Sequence, residues 1–410
     1  MINFVSTFPP IMCGIGNYTK YLVSKMPKSC WRVTSLRLDG FLKVEEPFEL
    51  DKRVAYTISL SNPKLPSLLD GEVLWFEHAF GMWGRKSPSF LTLIKEAKER
   101  RKRTIASLHT IHFQSAETPQ GMQEKEKRLL EKVLPLIDVL TVFTNGTCQA
   151  VIETFPEYKD KVVVLRHGVC LYPEVNQKEA GKKLLSYLIN RAGISQTQKK
   201  ELQSLDNLFF SDKVILLGNF GFITQDKDPL KLYQLRQILQ ARFPTYQVIA
   251  IYIGRIQQRK DKKMEESLPI LERLKSIHDG RKNLFFEDYI PESIFPFAFQ
   301  ALDFAVFWCR NATQSGRMAH AQGAGVCVVG RNIEGIGETL KLSGLPQVDT
   351  LEELAEKIKI LTLKPELKEK ALRSNWRYAQ QFSYEVQAQK HLLLEEIVRS
   401  GKKLPILDRI

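Results

Sequence analysis

Four short segments combine glycines, histidines and basic side chains at spacings that suit an anionic ligand. In TFPPIMCGIGNY (7–18), Gly14 and Gly16 stand where an apolar run gives way to a helical pattern. Glycines at such a junction let the amides of a helix start approach a phosphate. A tight turn needing positive φ would use the same residues, and the third glycine of a dinucleotide fingerprint is missing. His78 follows the apolar run VLWF, and His109 follows TIASL. Both therefore fall at the carboxyl ends of predicted parallel strands, where α/β sheets place ligands and where structural histidines also occur. In GNFGFITQDKD (218–228), Lys227 lies a short distance beyond glycine, where an ammonium beside exposed amides can neutralise a diphosphate or simply face solvent. Finally, the polar loop Thr313, Gln314, Ser315 and Gly316 opens a small-residue helical pattern that carries Arg317 and His320. Such a helix can pack closely or aim its positive end at an anion. Arg317 in the first turn opposes the helix dipole, and an anionic ligand would account for it.

The elements that must position these residues read as βαβ units. Short runs rich in β-branched residues, at 2–6, 73–76, 104–108, 139–143 and 162–165, alternate with amphipathic segments and predict a parallel sheet. The rhythm breaks after Gly168, where a lysine-rich stretch from Leu171 to Asp206 reads as a linker carrying one or two helices. It then resumes at 213–217, 247–253, 283–286, 304–308 and 326–329. Residues 375–398 have helical spacing, with Trp376, Tyr378 and Phe382 as aromatic anchors.

A length of 410 residues predicts two domains. With 43% hydrophobic and 26% charged residues the composition is that of a globular protein, which excludes wholesale disorder, a collagen-like repeat and a disulfide-stapled miniprotein. The longest apolar stretch, 295–309, is too short to cross a bilayer. The first residues resemble a strand and not a signal peptide. Six scattered cysteines form no zinc pattern and fit a reducing cytoplasm. A net charge of +14, spread over both halves, could draw phosphates, anionic lipid or nucleic acid. No nucleic-acid motif accompanies it, so no nucleic-acid partner is expected. The basic run KEAKERRKR (95–103) reads as a solvated helix face or, with Trp83 and Phe90 as apolar anchors, as a peripheral docking surface for an anionic membrane.

Seven segments in order, STFPPIMCGIGNYT, FEHAFGMWG, SLHTIH, VVVLRHGV, GFITQDKDP, TQSGRMAHAQGAGVCVV and EGIGETL, resemble retaining glycosyltransferases of the GT-B fold, family four. The resemblance implies an α/β fold of two facing Rossmann-like domains with a cleft. The N-terminal domain (1–170, joined by a crossover helix at 385–410) would hold an acceptor, and the C-terminal one (171–384, linker included) a nucleotide sugar. It further implies a metal-independent hexosyltransferase with no cofactor, whose co-substrate is a nucleotide sugar, UDP-glucose first, and whose acceptor is a glycan or lipid-linked. By similarity Gly14 and Gly16 close over the donor diphosphate, His109 lies beside the transferred sugar, and Lys227 binds phosphate. The loop Thr313–Gly316 also belongs to the donor site, and backbone near Tyr289 and Ile290 holds the base. His78 is a candidate acceptor contact. Two departures stand out. Phe222 occupies the place of the usual arginine, and Ala312 and His320 occupy the places of paired glutamates. Arg317 or Arg255 could restore the missing charge, and His320 could hydrogen-bond the ribose. The contrasting expectation is a binding or scaffold protein that kept the fold without the activity.

Overall fold

Fully buried runs such as INFVS and FAVF can be satisfied only where both faces of a sheet are covered, and the computed structural model places them in two parallel sheets. It describes residues 1–39, 41, 43, 49–84, 87–115, 118–191, 194–205, 211–257 and 262–409. Asp206, the predicted end of the linker, lies outside them, as do Arg85 and Lys86 in the loop after Trp83.

The first sheet contains β1 (Ile2–Ser6), β2 (Trp31–Leu36), β3 (Val54–Ile58), β4 (Val73–His78), β5 (Arg103–Leu108), β6 (Val139–Val142) and β7 (Val162–Val164). Their spatial order is β3-β2-β1-β4-β5-β6-β7. The second contains β8 (Val214–Phe220), β9 (Gln247–Ile253), β10 (Asn283–Phe286), β11 (Phe304–Phe307), β12 (Cys327–Arg331) and β13 (Gln347–Val348), ordered β10-β9-β8-β11-β12-β13. In both sheets the strand order reverses direction beside the first strand, and the loops and helix starts after β1, β8 and β11 there carry Gly14, Gly16, Lys227 and Thr313–Gly316.

Packing divides the chain into two units. The first comprises Met1–Gly168, Ala312–Gly316 and Phe382–Ile410; the second comprises Val169–Asn311 and Arg317–Gln381. In the first unit, Phe76, Leu74, Ala106 and Leu140 on the sheet pack against Phe90, Leu93, Ile94, Leu130 and Val133 on flanking helices. The final helix, Tyr384–Ser400, is capped by the Ser383 hydroxyl, which accepts from the Val386 amide at 3.4 Å. It lays His391 flat on Trp75 of β4, with ring centroids 4.4 Å apart.

The segment after Gly168, read as a linker carrying one or two helices, carries two, Gln177–Asn190 and Gln196–Leu205, which bury Leu184, Leu188 and Leu202 within the second unit. Several expectations change. The run 375–398 is two helices, because Pro365–Gln381 ends before the Ser383 cap; Tyr378 and Phe382 are buried, whereas Trp376 is 38% exposed. Trp83 and Phe90 are no membrane anchors. Both are core residues, and the Trp83 indole donates to the Glu77 carbonyl at 2.9 Å. Most of the basic run beside them is engaged as well. Lys98 donates to the Pro135 carbonyl, Arg100 to Pro66 and Leu65, Lys102 to Gly71, and Arg103 pairs with Asp138.

Candidate functional site

In the first unit the helix Gly14–Ser24 begins directly after the β1 loop, with no side chain capping its first amides. Neither glycine of the pair has positive φ. Gly16 is needed for close approach, since a Cβ there would sit 3.3 Å from the backbone of Phe8; Gly14 faces open space. One turn on, Tyr18 sets its ring edge against His109 at 5.1 Å and lies 5.0 Å from His167.

His109, one residue past β5, is only 4% exposed. Its Nε2 is 2.6 Å from Oε2 of Glu77, a β4 residue with no exposure at all. Burial favours the uncharged form of each partner. The Glu77 carboxyl is pushed well above the usual range by desolvation, opposed only by the Ser107 hydroxyl, and His109 is pushed down to about 3 by the same cause. His167 is lowered to about 4, chiefly by burial, while its Nδ1 donates to the Gly168 carbonyl at 2.8 Å. The loop Ala312–Gly316 packs here too. The Thr313 hydroxyl donates to the His109 carbonyl at 2.8 Å, and a Cβ on Gly316 would come within 3.2 Å of the His167 ring. His78 is sealed, with 0% exposure, Nε2 2.8 Å from the Ser87 hydroxyl and Phe90 stacked obliquely at 4.5 Å; burial lowers it to about 3. In this conformation it presents no surface to an acceptor.

In the second unit the loops after β8, β9 and β10 are knitted together by their backbones. The Gly221 amide donates to the Ile253 carbonyl, Ile223 to Arg255, Gly254 to Phe286 and Asp288 to Gly254. Thr224 caps a single 3-10 turn, Gln225–Lys227, by accepting from the Lys227 amide at 3.3 Å. The turn ends at Asp228 in a left-handed conformation, φ 39°, which the Arg310 guanidinium holds at 3.0 Å. The Lys227 ammonium lies 5.5 Å above the Phe222 ring, and Phe222 stacks on Tyr289 at 5.3 Å. Phe222 thus gives the loop an aromatic floor where the resemblance expects a cation. Ile290 is buried beside Tyr289.

Arg317 donates to the Asn219 side chain at 3.2 Å and to the Phe220 carbonyl at the end of β8. Its place in a helix's first turn therefore has a local reason besides an anion. His320 meets the Tyr172 hydroxyl through Nδ1 at 2.5 Å, between the stacked Tyr172 ring and the edge-on ring of Phe295.

The predicted residues fall into two groups. Gly14, Gly16, His109 and Thr313–Gly316 gather in the first unit, and Lys227, Arg255, Tyr289, Ile290, Arg317 and His320 belong to the second. Sequence reasoning missed Glu77, Tyr18, Phe143 and His167 around His109. Only Glu77 carried a signal, as a carboxylate at the end of an otherwise apolar strand. Among the described residues no group of three or more His, Cys, Asp or Glu side chains could hold a metal, and no helix is long and apolar enough to cross a membrane.

No family model and no curated sequence matches the chain. Solved structures do. An alpha,alpha-trehalose-phosphate synthase (UDP-forming) from Burkholderia xenovorans, in complex with glucose-6-phosphate, superposes with a TM-score of 0.68 at 10% identity, covering 96% of this chain and 99% of that one. The E. coli trehalose-6-phosphate enzyme bound with UDP-2-fluoro glucose gives 0.65 at 12% identity, with 97% and 99% covered. The N-terminal domain of a Candida albicans trehalose-6-phosphate phosphatase gives 0.64 at 11%, with 97% and 96% covered. Likeness at this identity is likeness of fold, it does not single out family four, and over nearly the whole chain the fold it shows is GT-B.

Proposed function

We propose that the protein is a glycosyltransferase that moves a hexose, with retention of configuration, from a nucleotide diphosphate sugar to a sugar hydroxyl. The observation that carries this reading is the end-to-end likeness to UDP-forming synthases, one of them bound with a UDP-glucose analogue. The chemistry on the strand ends supports it. Lys227, on a capped turn beside an aromatic floor, would meet the donor diphosphate, with the Arg255 loop next to it; Tyr289 and Ile290 would hold the base and His320 the ribose. In the first unit, the uncapped amides of helix Gly14–Ser24 are donors of the kind that suit phosphate oxygens. His109 would touch the transferred sugar. In the step itself the acceptor oxygen bonds to the anomeric carbon as the bond to the diphosphate breaks. The hydroxyl proton passes to the leaving phosphate, whose charge Lys227 stabilises. Such a step needs no metal or cofactor.

UDP-glucose is the first donor to test. For the acceptor, the bound glucose-6-phosphate of one structural neighbour makes a sugar phosphate the first candidate beside the glycan or lipid-linked class. The test measures UDP release from UDP-glucose, and from a panel of other nucleotide sugars, with each acceptor class. Release that rises with one acceptor establishes the reaction. A second reading, a GT-B binding protein without turnover, is favoured by Phe222, Ala312 and His320 standing where the family has arginine and two glutamates. Thermal stabilisation by a nucleotide sugar without release of nucleotide would establish that reading instead.

A further inference from the structure

Glu77 is a fully buried carboxyl in the first unit. A carboxyl with 0% exposure at the end of an apolar strand needs a compensating contact, and here that contact is the His109 ring. We propose that Glu77 is a positioning residue for His109: it grips the ring at Nε2 and leaves Nδ1–H as the nitrogen offered to the transferred sugar, a role that rests on the glycosyltransferase reading above.

Both ends of the pair are fixed to the sheet. Glu77 lies opposite Ser107 in the β4–β5 register, and its carbonyl accepts from the Trp83 indole. The His109 amide donates to the His78 carbonyl at 2.9 Å, and its own carbonyl accepts from Thr313. Phe143 at 4.5 Å and the Tyr18 edge at 5.1 Å confine the ring plane. Among the described residues Nε2 has Glu77 as its partner, whereas no protein group bonds Nδ1. A lone charge would be costly where both partners are this buried, so the pair is neutral as a whole, and a proton lying in the 2.6 Å contact between Oε2 and Nε2 leaves the remaining ring proton on Nδ1. The ring accordingly presents a donor, suited to a sugar hydroxyl or ring oxygen, and not a lone pair that would take a proton.

The test reads the tautomer directly. In wild-type protein labelled with nitrogen-15 histidine, two-bond nitrogen–proton correlations distinguish a protonated ring nitrogen from a bare one, and His109→Gln assigns the resonances. The expected result is a bare Nε2 and a protonated Nδ1. A proton on Nε2 overturns the proposal, whether or not the protein releases UDP. Glu77→Gln, whose amide can still donate to Nε2, should keep the tautomer and most of the turnover. Glu77→Leu should free the ring and lower kcat about 10- to 100-fold, with the donor KM changed less than about twofold. If Gln and Leu lower kcat equally, or if KM rises as kcat falls, Glu77 does not position the ring. Should the leucine variant not fold, the wild-type and glutamine spectra still decide. If wild type releases no nucleotide from any donor, the glycosyltransferase reading fails separately, and the spectrum alone judges the grip on Nε2.

Discussion

Lys227 is the residue on which donor binding should depend most simply. Its backbone is held by the Thr224 cap and its ammonium lies over the Phe222 ring, so Lys227→Ala removes one charge from a turn that keeps its cap. Affinity for UDP-glucose should fall by about 1.5–3 kcal/mol, roughly 10- to 150-fold in Kd by calorimetry. Unchanged affinity would mark the lysine as a solvent-facing residue. Histidines supply a second residue-scale prediction. His78 and His109 are lowered to about 3, and His167 and His391 to about 4, each chiefly by burial, and all four lie in the first unit. A histidine whose folded pKa is depressed takes up its proton more readily when unfolded. The stability it confers is complete above the unfolded value of 6.5 and is lost as pH falls from there toward 3–4. Glu77, raised by burial, acts oppositely, costing stability as pH rises through 4.5, but it is one group against four. Urea midpoints followed by tryptophan emission should therefore drop between about pH 7.5 and about pH 5, and His391→Gln should shrink the difference. A midpoint that is flat over that range would contradict the burial argument. At this scale the glycines, Lys227 and His109 were legible because their types imply chemistry wherever they occur. Tyr18 and Phe143 were not, since an aromatic residue on an apolar face looks the same whether it fills a core or fences a histidine.

At the scale of elements, β1, β9 and β10 coincide with the runs read from the sequence, because a strand buried on both faces is continuous in its apolarity. The strands β2 and β3 escaped notice. In β2, WRVTSL mixes charge and hydroxyls, and β3 is an edge strand with alternate residues exposed. The packing of the helices after Gly168 was hidden for a related reason: lysines on the outer face of Gln177–Asn190 masked Ala180, Leu184 and Leu188 on its inner face. The loops at the ends of β8 and β9 leave no room between them. A Cβ on Gly254 would lie 2.1 Å from the Gly221 carbonyl oxygen. Gly254→Ala should cost about 1–3 kcal/mol by denaturation and weaken donor binding as well, since the displaced carbonyl belongs to the loop leading to Lys227. Loss of stability with unaltered affinity would separate that loop from the donor site. Ser383→Ala, removing the cap of the final helix, should cost about 1 kcal/mol without altering donor affinity.

For the molecule as a whole, length and the doubled βαβ rhythm were enough to predict two Rossmann-like sheets. What no local pattern reveals, and for the last helix only the resemblance implied, is that Ala312–Gly316 and Phe382–Ile410 pack with the first unit although the chain between them builds the second. Those memberships are set by tertiary contacts such as Thr313 with His109 and His391 with Trp75. Deleting residues 382–410 should therefore uncover Trp75, which is wholly buried in the intact protein, and shift its emission to the red. A truncated protein with unshifted emission and undiminished stability would show the final helix to be an accessory. The same membership bears on synthesis. A ribosome delivers residues 1–168 well before 382–410, and at about 5–20 residues per second the sheet face around Trp75 waits roughly 10–40 s for its cover. During that interval the nascent first unit is an incomplete body with an apolar flank, a client for holding chaperones, and a pause late in translation would prolong its exposure.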